Sequence, residues 1–135
     1  WQQLALWSGD AAAAAIFIGR VRPTTMDGRP LEALELEHFP GLCERQITAM
    51  AQRLQQVHRA GPILVLHRVG KLAPGEPIVL VAVQADGRGA AQRCTAALLE
   101  QLKHHAPFWK REWCAGQGTW LSSNTALEDC GQNIR

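Results

Sequence analysis

Two lysines, Lys103 and Lys110, bracket the segment His104-His105-Ala106-Pro107-Phe108-Trp109, so two amines can converge from a helix end and a following strand beside an aromatic wall. A lysine held among cations and apolar groups has its ammonium form disfavoured, which leaves a nucleophile or a general base. The ordinary account of the same residues is that Lys103 meets a helix dipole and Lys110 lies over Trp109. Arg20 and Arg22, two residues apart on a strand, would share one face about 6.6 Å apart. There they either grip an anion together or stand as solvated charges flanking a loop. Asp86-Gly87-Arg88-Gly89 leads into a helix, whose backbone N–H groups and positive dipole end suit an anion, with the Arg88 fork beside them. Equally, Asp86 serves as an N-cap and the glycines as a plain turn, and the pattern matches no phosphate-loop signature.

Other chemistries find less support. His38, His67, His104 and His105 lack HExxH or related ligand spacing, so structural or surface histidines are expected, not a metal site. No GxSxG marks a serine nucleophile. The cysteines at 43, 94, 114 and 130 form no CxxC or Cys/His pairing at zinc-ligand spacing, which predicts free thiols in a reducing cytoplasm. With 14 Lys+Arg against 12 Asp+Glu the formal charge is +2, too small for a general nucleic-acid binder, and the tryptophans lack a stacking motif. The longest apolar run, Ala11 to Ile18, falls short of the roughly 20 residues that span a bilayer. The opening Trp1-Gln2-Gln3-Leu4 shows no basic region ahead of an apolar one, so no secretory signal is expected. Residue types and spacing therefore point to an anion-binding domain and no further.

The elements that must position these groups follow from periodicity. Ala13 to Val21 reads as a strand ending in the basic segment, stopped by Pro23, and residues 23–30 as a loop turning at Asp27-Gly28. Leu31 to Phe39 alternates, with Leu34, Leu36 and His38 on one face and Ala33, Glu35 and Glu37 on a wet one. Pro40-Gly41 opens a helix whose apolar stripe is Cys43, Ile47, Met50, Leu54 and Val57, and Gly61-Pro62 ends it. Ile63 to Val69 is the next strand, Gly70 to Glu76 a turn around Pro74-Gly75, and Pro77 to Val83 a central strand covered on both faces. A second helix buries Ala91, Cys94, Leu98 and Leu102, carries Lys103 in its last turn and cannot pass Pro107. Phe108 to Trp113 alternates, with Phe108, Lys110 and Glu112 facing one way and Trp109, Arg111 and Trp113 the other. A short strand through Trp120 follows. As far as Trp113 the ββαββαβ order lacks the regular alternation of a parallel sheet and predicts an α+β fold. With 135 residues the chain fits one domain, 1–121, followed by a polar tail, 122–135.

Taken as a set, Phe17-Ile18-Gly19-Arg20-Val21-Arg22, Leu36-Glu37-His38-Phe39-Pro40-Gly41-Leu42, His67-Arg68-Val69-Gly70, Pro74-Gly75-Glu76 and the block Leu102 to Glu112 resemble the molybdopterin synthase catalytic (large) subunit family, in order and in spacing. The resemblance covers about Ala13 to Trp120. It implies an α/β-hammerhead fold, mainly antiparallel with two principal helices, and a homodimer within a cytoplasmic heterotetramer. The implied partner is a small ubiquitin-like sulfur-carrier subunit whose C-terminal thiocarboxylate supplies sulfur to cyclic pyranopterin monophosphate, with no metal or redox cofactor. Carried over by position, Lys103 and Lys110 are the implied catalytic lysines. Arg20, Val21 and Arg22, then Gly87 and Arg88, and with the lysines Arg111 and Glu112, are the implied substrate-binding residues. Gly87 stands where the family usually has His or Asn. The alternative is a catalytically idle subunit that only docks a ubiquitin-like partner.

Overall fold

In the computed structural model, which describes residues 9–105 and 108–121, two antiparallel sheets meet at a seam. Strands β1 (Ala13–Arg20), β3 (Ile63–His67) and β5 (Pro77–Ala85) form one, ordered β1-β5-β3. Strands β2 (Ala33–His38), β4 (Gly70–Leu72), β6 (Phe108–Cys114) and β7 (Gln117–Trp120) form the other, ordered β4-β2-β6-β7. Helices α1 (Leu42–His58) and α2 (Arg88–His105) cover one face of the first sheet. The α+β class read from element order is the observed one.

Period two on β5 sends Val79, Val81 and Val83 into the helices, where they join Met50 and Leu54 of α1 and Cys94, Leu98 and Leu102 of α2. A second core gathers Val21, Leu31, Leu34, Leu36 and Leu72, and Ile78 packs against both. The seam beside Ile78 is where β1 ends, where α2 ends and where the inner face of the second sheet begins. As predicted, β5 is central, with Leu80 flanked in register by Ile18 and Leu66. Its double cover is incomplete: on the face away from the helices these three residues line a cavity of about 220 Å³, and Ile16 nearby is 48% exposed.

Several boundaries differ from the sequence reading for physical reasons. Helix α1 stops at Arg59, whose left-handed backbone (φ 52°, ψ 43°) lets Ala60 N–H donate to the Gln55 carbonyl before Gly61-Pro62 is reached. Val57 is 67% exposed and leaves the apolar stripe, because the last turn overruns the surface that Met50 and Leu54 bury against. Part of the expected turn 70–76 is strand β4, whose Leu72 enters the second core as a partner of Leu34. Ala33 is buried opposite Trp113 and is not on a wet face. Strand β6 turns tightly through Ala115 and Gly116, both at positive φ, into β7. The Pro107 helix stop and the polar tail lie outside the described residues, as do Trp1 to Leu4 and Cys130.

Candidate functional site

Strand β1 breaks register between Gly19 and Arg20, pairing Gly19 with Val79 and Arg20 with Pro77, and ends there. Val21 then turns inward, its N–H donating to the Glu76 carbonyl and its own carbonyl accepting from Gly75, so its side chain is core. Arg20 and Arg22 are consequently not consecutive same-face residues of one strand. They nevertheless meet: both line a cavity of about 210 Å³ at the seam, walled by Leu31, Leu34 and Ile78 and reached by Lys103 from the last turn of α2. Three cations around one small, largely apolar cavity form a site for an anion.

Strand β6 supplies the second lysine. Its inward face carries Phe108, Lys110 and Glu112, as the alternation predicts, and Lys110 and Glu112 are each only 8% exposed. Charges so buried need partners, and both have them. The rings of His67 and Phe108 stack with centroids 3.7 Å apart, and His38 lies nearly parallel to Phe108 at 6.0 Å. Burial holds the His67 imidazole down at about 4, with Lys103, Lys110 and His38 pushing the same way against a backbone hydrogen bond to Arg68 that raises it. His67 is neutral at physiological pH, and the fields of both lysines converge on it. Spacing alone does not single it out, because its neighbours arrive from β6 and α2.

Three predicted site residues go elsewhere. Arg111 points to the outer face of β6, where Arg111 Nη2 donates to Glu35 at 2.8 Å and the guanidinium lies between Trp113 and Trp120, 4.7 and 4.5 Å from the ring centres. In this chain it is held by a carboxylate and two indoles, away from Lys110. Gly87 and Arg88 sit at the other end of α2, separated from Lys103 by about 22 Å of helix rise. One copy of the chain does not bring them to the cavity.

The outer cluster allows a pH test. Glu35 Oε1 accepts from Arg111 Nε at 3.1 Å and from Trp113 Nε1 at 2.9 Å, and these bonds, the indole's first, hold its carboxyl below the ordinary 4.5. A depressed carboxyl contributes stability that is complete above its unfolded value and is lost as pH falls through its lower folded value. Glu35→Gln should therefore melt below the parent at about pH 7, with the gap narrowing as pH falls below the ordinary 4.5. Melting curves of both proteins across that range check this, and a constant gap sinks it.

Comparison with known proteins gives four findings. A family model described as MoaE protein matches residues 2–105. The molybdopterin synthase catalytic subunit of Cereibacter sphaeroides (strain ATCC 17023) is 43% identical over 122 residues, 89% of this chain and 82% of the relative. Among solved structures, molybdopterin synthase from Staphylococcus aureus superposes with a TM-score of 0.77 at 26% identity, covering 82% of this chain and 80% of that one. A Helicobacter pylori 26695 structure, solved as a complex of subunits 1 and 2 of molybdopterin-converting factor, shares the fold with a TM-score of 0.70 at 17% identity, over 85% of this chain and 75% of that one.

Proposed function

Because the chain belongs to the MoaE protein family, we propose that it is the catalytic subunit of a molybdopterin synthase, an enzyme that passes sulfur from the thiocarboxylate tail of a small ubiquitin-like carrier to cyclic pyranopterin monophosphate. The observation that carries this reading is the cavity shared by Arg20, Arg22 and Lys103 at the seam. Arginine forks there hold the substrate phosphate and offset charge that builds up as sulfur is transferred. Lys103 acts at the reacting centre, either moving a proton or anchoring an intermediate through its amine, and Lys110 supports it from β6. Glu112, buried on the same strand face, belongs to this inner set. Val21 contributes by anchoring the chain between Arg20 and Arg22, its side chain in the core and its backbone bonded to Glu76 and Gly75.

The distance from Lys103 to Gly87 and Arg88 favours a second copy as their point of use. We place the protein as a homodimer within a cytoplasmic heterotetramer with the carrier, each α2 start serving the neighbouring cavity. No described helix is long and apolar enough to cross a membrane. The open face around Ile16, Ile18, Leu66 and Leu80 offers apolar surface to a neighbour. Sedimentation at micromolar concentration is expected to report a dimer, and a monomer overturns that part of the reading.

The decisive experiment is a single-turnover assay with thiocarboxylated carrier and cyclic pyranopterin monophosphate, read as dithiolene product. Product establishes the synthase. Carrier binding without product leaves the idle docking subunit as the answer.

A further inference from the structure

His67 ends β3 opposite Val79, and Val79 lines the cavity that Lys103 enters. Its ring stacks on Phe108 with planes 15° apart, and Phe108 shares the inward face of β6 with Lys110. His67 Nδ1 lies 2.8 Å from the Arg68 carbonyl oxygen. A carbonyl only accepts, so Nδ1 carries the hydrogen and Nε2 keeps its lone pair. Stacking fixes the ring plane and the backbone bond fixes the tautomer.

We propose that His67 is a positioning residue for sulfur transfer, its Nε2 lone pair offered to the ε-amines of Lys103 and Lys110 from a ring locked by Phe108 and the Arg68 carbonyl. A neutral acceptor suits this place. It orients an amine by hydrogen bonding without supplying the negative charge that would fix the amine as an ammonium ion, as a carboxylate there would. The burial of the ring keeps it neutral while the lysines change state. Other charged and titratable groups around the amines are Arg20 and Arg22 on the shared cavity, Glu112 beside Lys110, and His38 on β2, which faces Glu44 of α1 and helps hold that carboxyl low. His104 and His105 follow Lys103 at the end of α2.

The catalytic part of this inference rests on the synthase reading, and its test is chosen to stand apart from it. His67→Phe keeps a stacking ring and removes the acceptor. Lysine reactivity towards acetic anhydride, followed against pH by mass spectrometry of the full chain's peptides, reports each amine's titration. Loss of a hydrogen-bond acceptor destabilises the ammonium form, so in His67→Phe the titration of Lys103 or Lys110 should move down by about one pH unit. His67→Gln, which retains an acceptor oxygen, should stay nearer the parent. Unchanged titration in His67→Phe means that the ring only fills space, and overturns the proposal. Nitrogen NMR of the unmodified protein gives a check that needs no variant to fold: Nε2 should be unprotonated, and a protonated Nε2 also overturns it. In the turnover assay, His67→Phe should lose about tenfold or more in rate with carrier binding unchanged. A parent that makes no product removes the synthase reading and leaves the amine result to decide the placement of His67.

Discussion

Lys103→Ala is expected to lose dithiolene formation by about 10²-fold to 10⁴-fold if the amine moves a proton, and altogether if it anchors an intermediate. Lys103 projects from the last turn of α2 and is only half-buried, so its removal should alter stability by no more than about 0.5 kcal/mol. Rate would fall while the melting temperature holds. Lys103→Arg separates chemistry from charge. An arginine keeps the positive charge that faces the phosphate but does not give up a proton in water. If Lys103 only balances charge in the cavity with Arg20 and Arg22, the arginine variant stays active; if it must deprotonate, that variant is as inactive as the alanine one. Full turnover by Lys103→Ala would remove this lysine from the mechanism.

The largest effect on stability should come from Leu98→Ala. Leu98 is 0% exposed, at the centre of the core that joins α2 to Val81, Val83, Met50 and Leu54. Truncation removes buried methyl groups and leaves a void that close-packed neighbours fill only in part, at a cost of about 2–5 kcal/mol. That is a large share of a typical total of about 5–15 kcal/mol, and the melting temperature should drop by roughly 10 °C. Leu98 lies just over one turn before Lys103, so the loss should also loosen the turn that presents the amine. Thermal melting checks the first effect. Turnover measured well below the new midpoint checks the second, and a drop of only a degree or two would mean that the core is not packed as described.

What the sequence conveyed divides along physical lines. The inward set Phe108, Lys110 and Glu112 was legible because period two is a local property of any strand, and β6 follows it residue by residue. Lys103 was legible because a helix stripe ending at Leu102 dictates where the next side chain falls. Which face of β6 turns inward was not local. Arg111 belongs outside because Glu35, paired with it in register on β2, and Trp120 on β7 receive it there. Strand β4 escaped notice because three residues carry no periodicity, and only its pairing with Leu34 to Leu36 makes it a strand. Val57 fitted the stripe by spacing, but where a helix outruns its supporting sheet depends on the whole chain. His67 reads as the polar end of an apolar strand until Phe108 is laid on its ring.

The two faces of β6 also bear on how this protein tolerates change. Most of its loops should accept an added or lost residue, since loop length costs little. Within Phe108–Cys114 the same event shifts each residue to the opposite face. One deleted codon ahead of Lys110 would retract the buried amine and present the Arg111 guanidinium in its place, leaving Glu35 and its indole neighbours without their cation. Along this strand the count of residues carries as much information as their identity, and homologous chains should vary there by substitution and not by length.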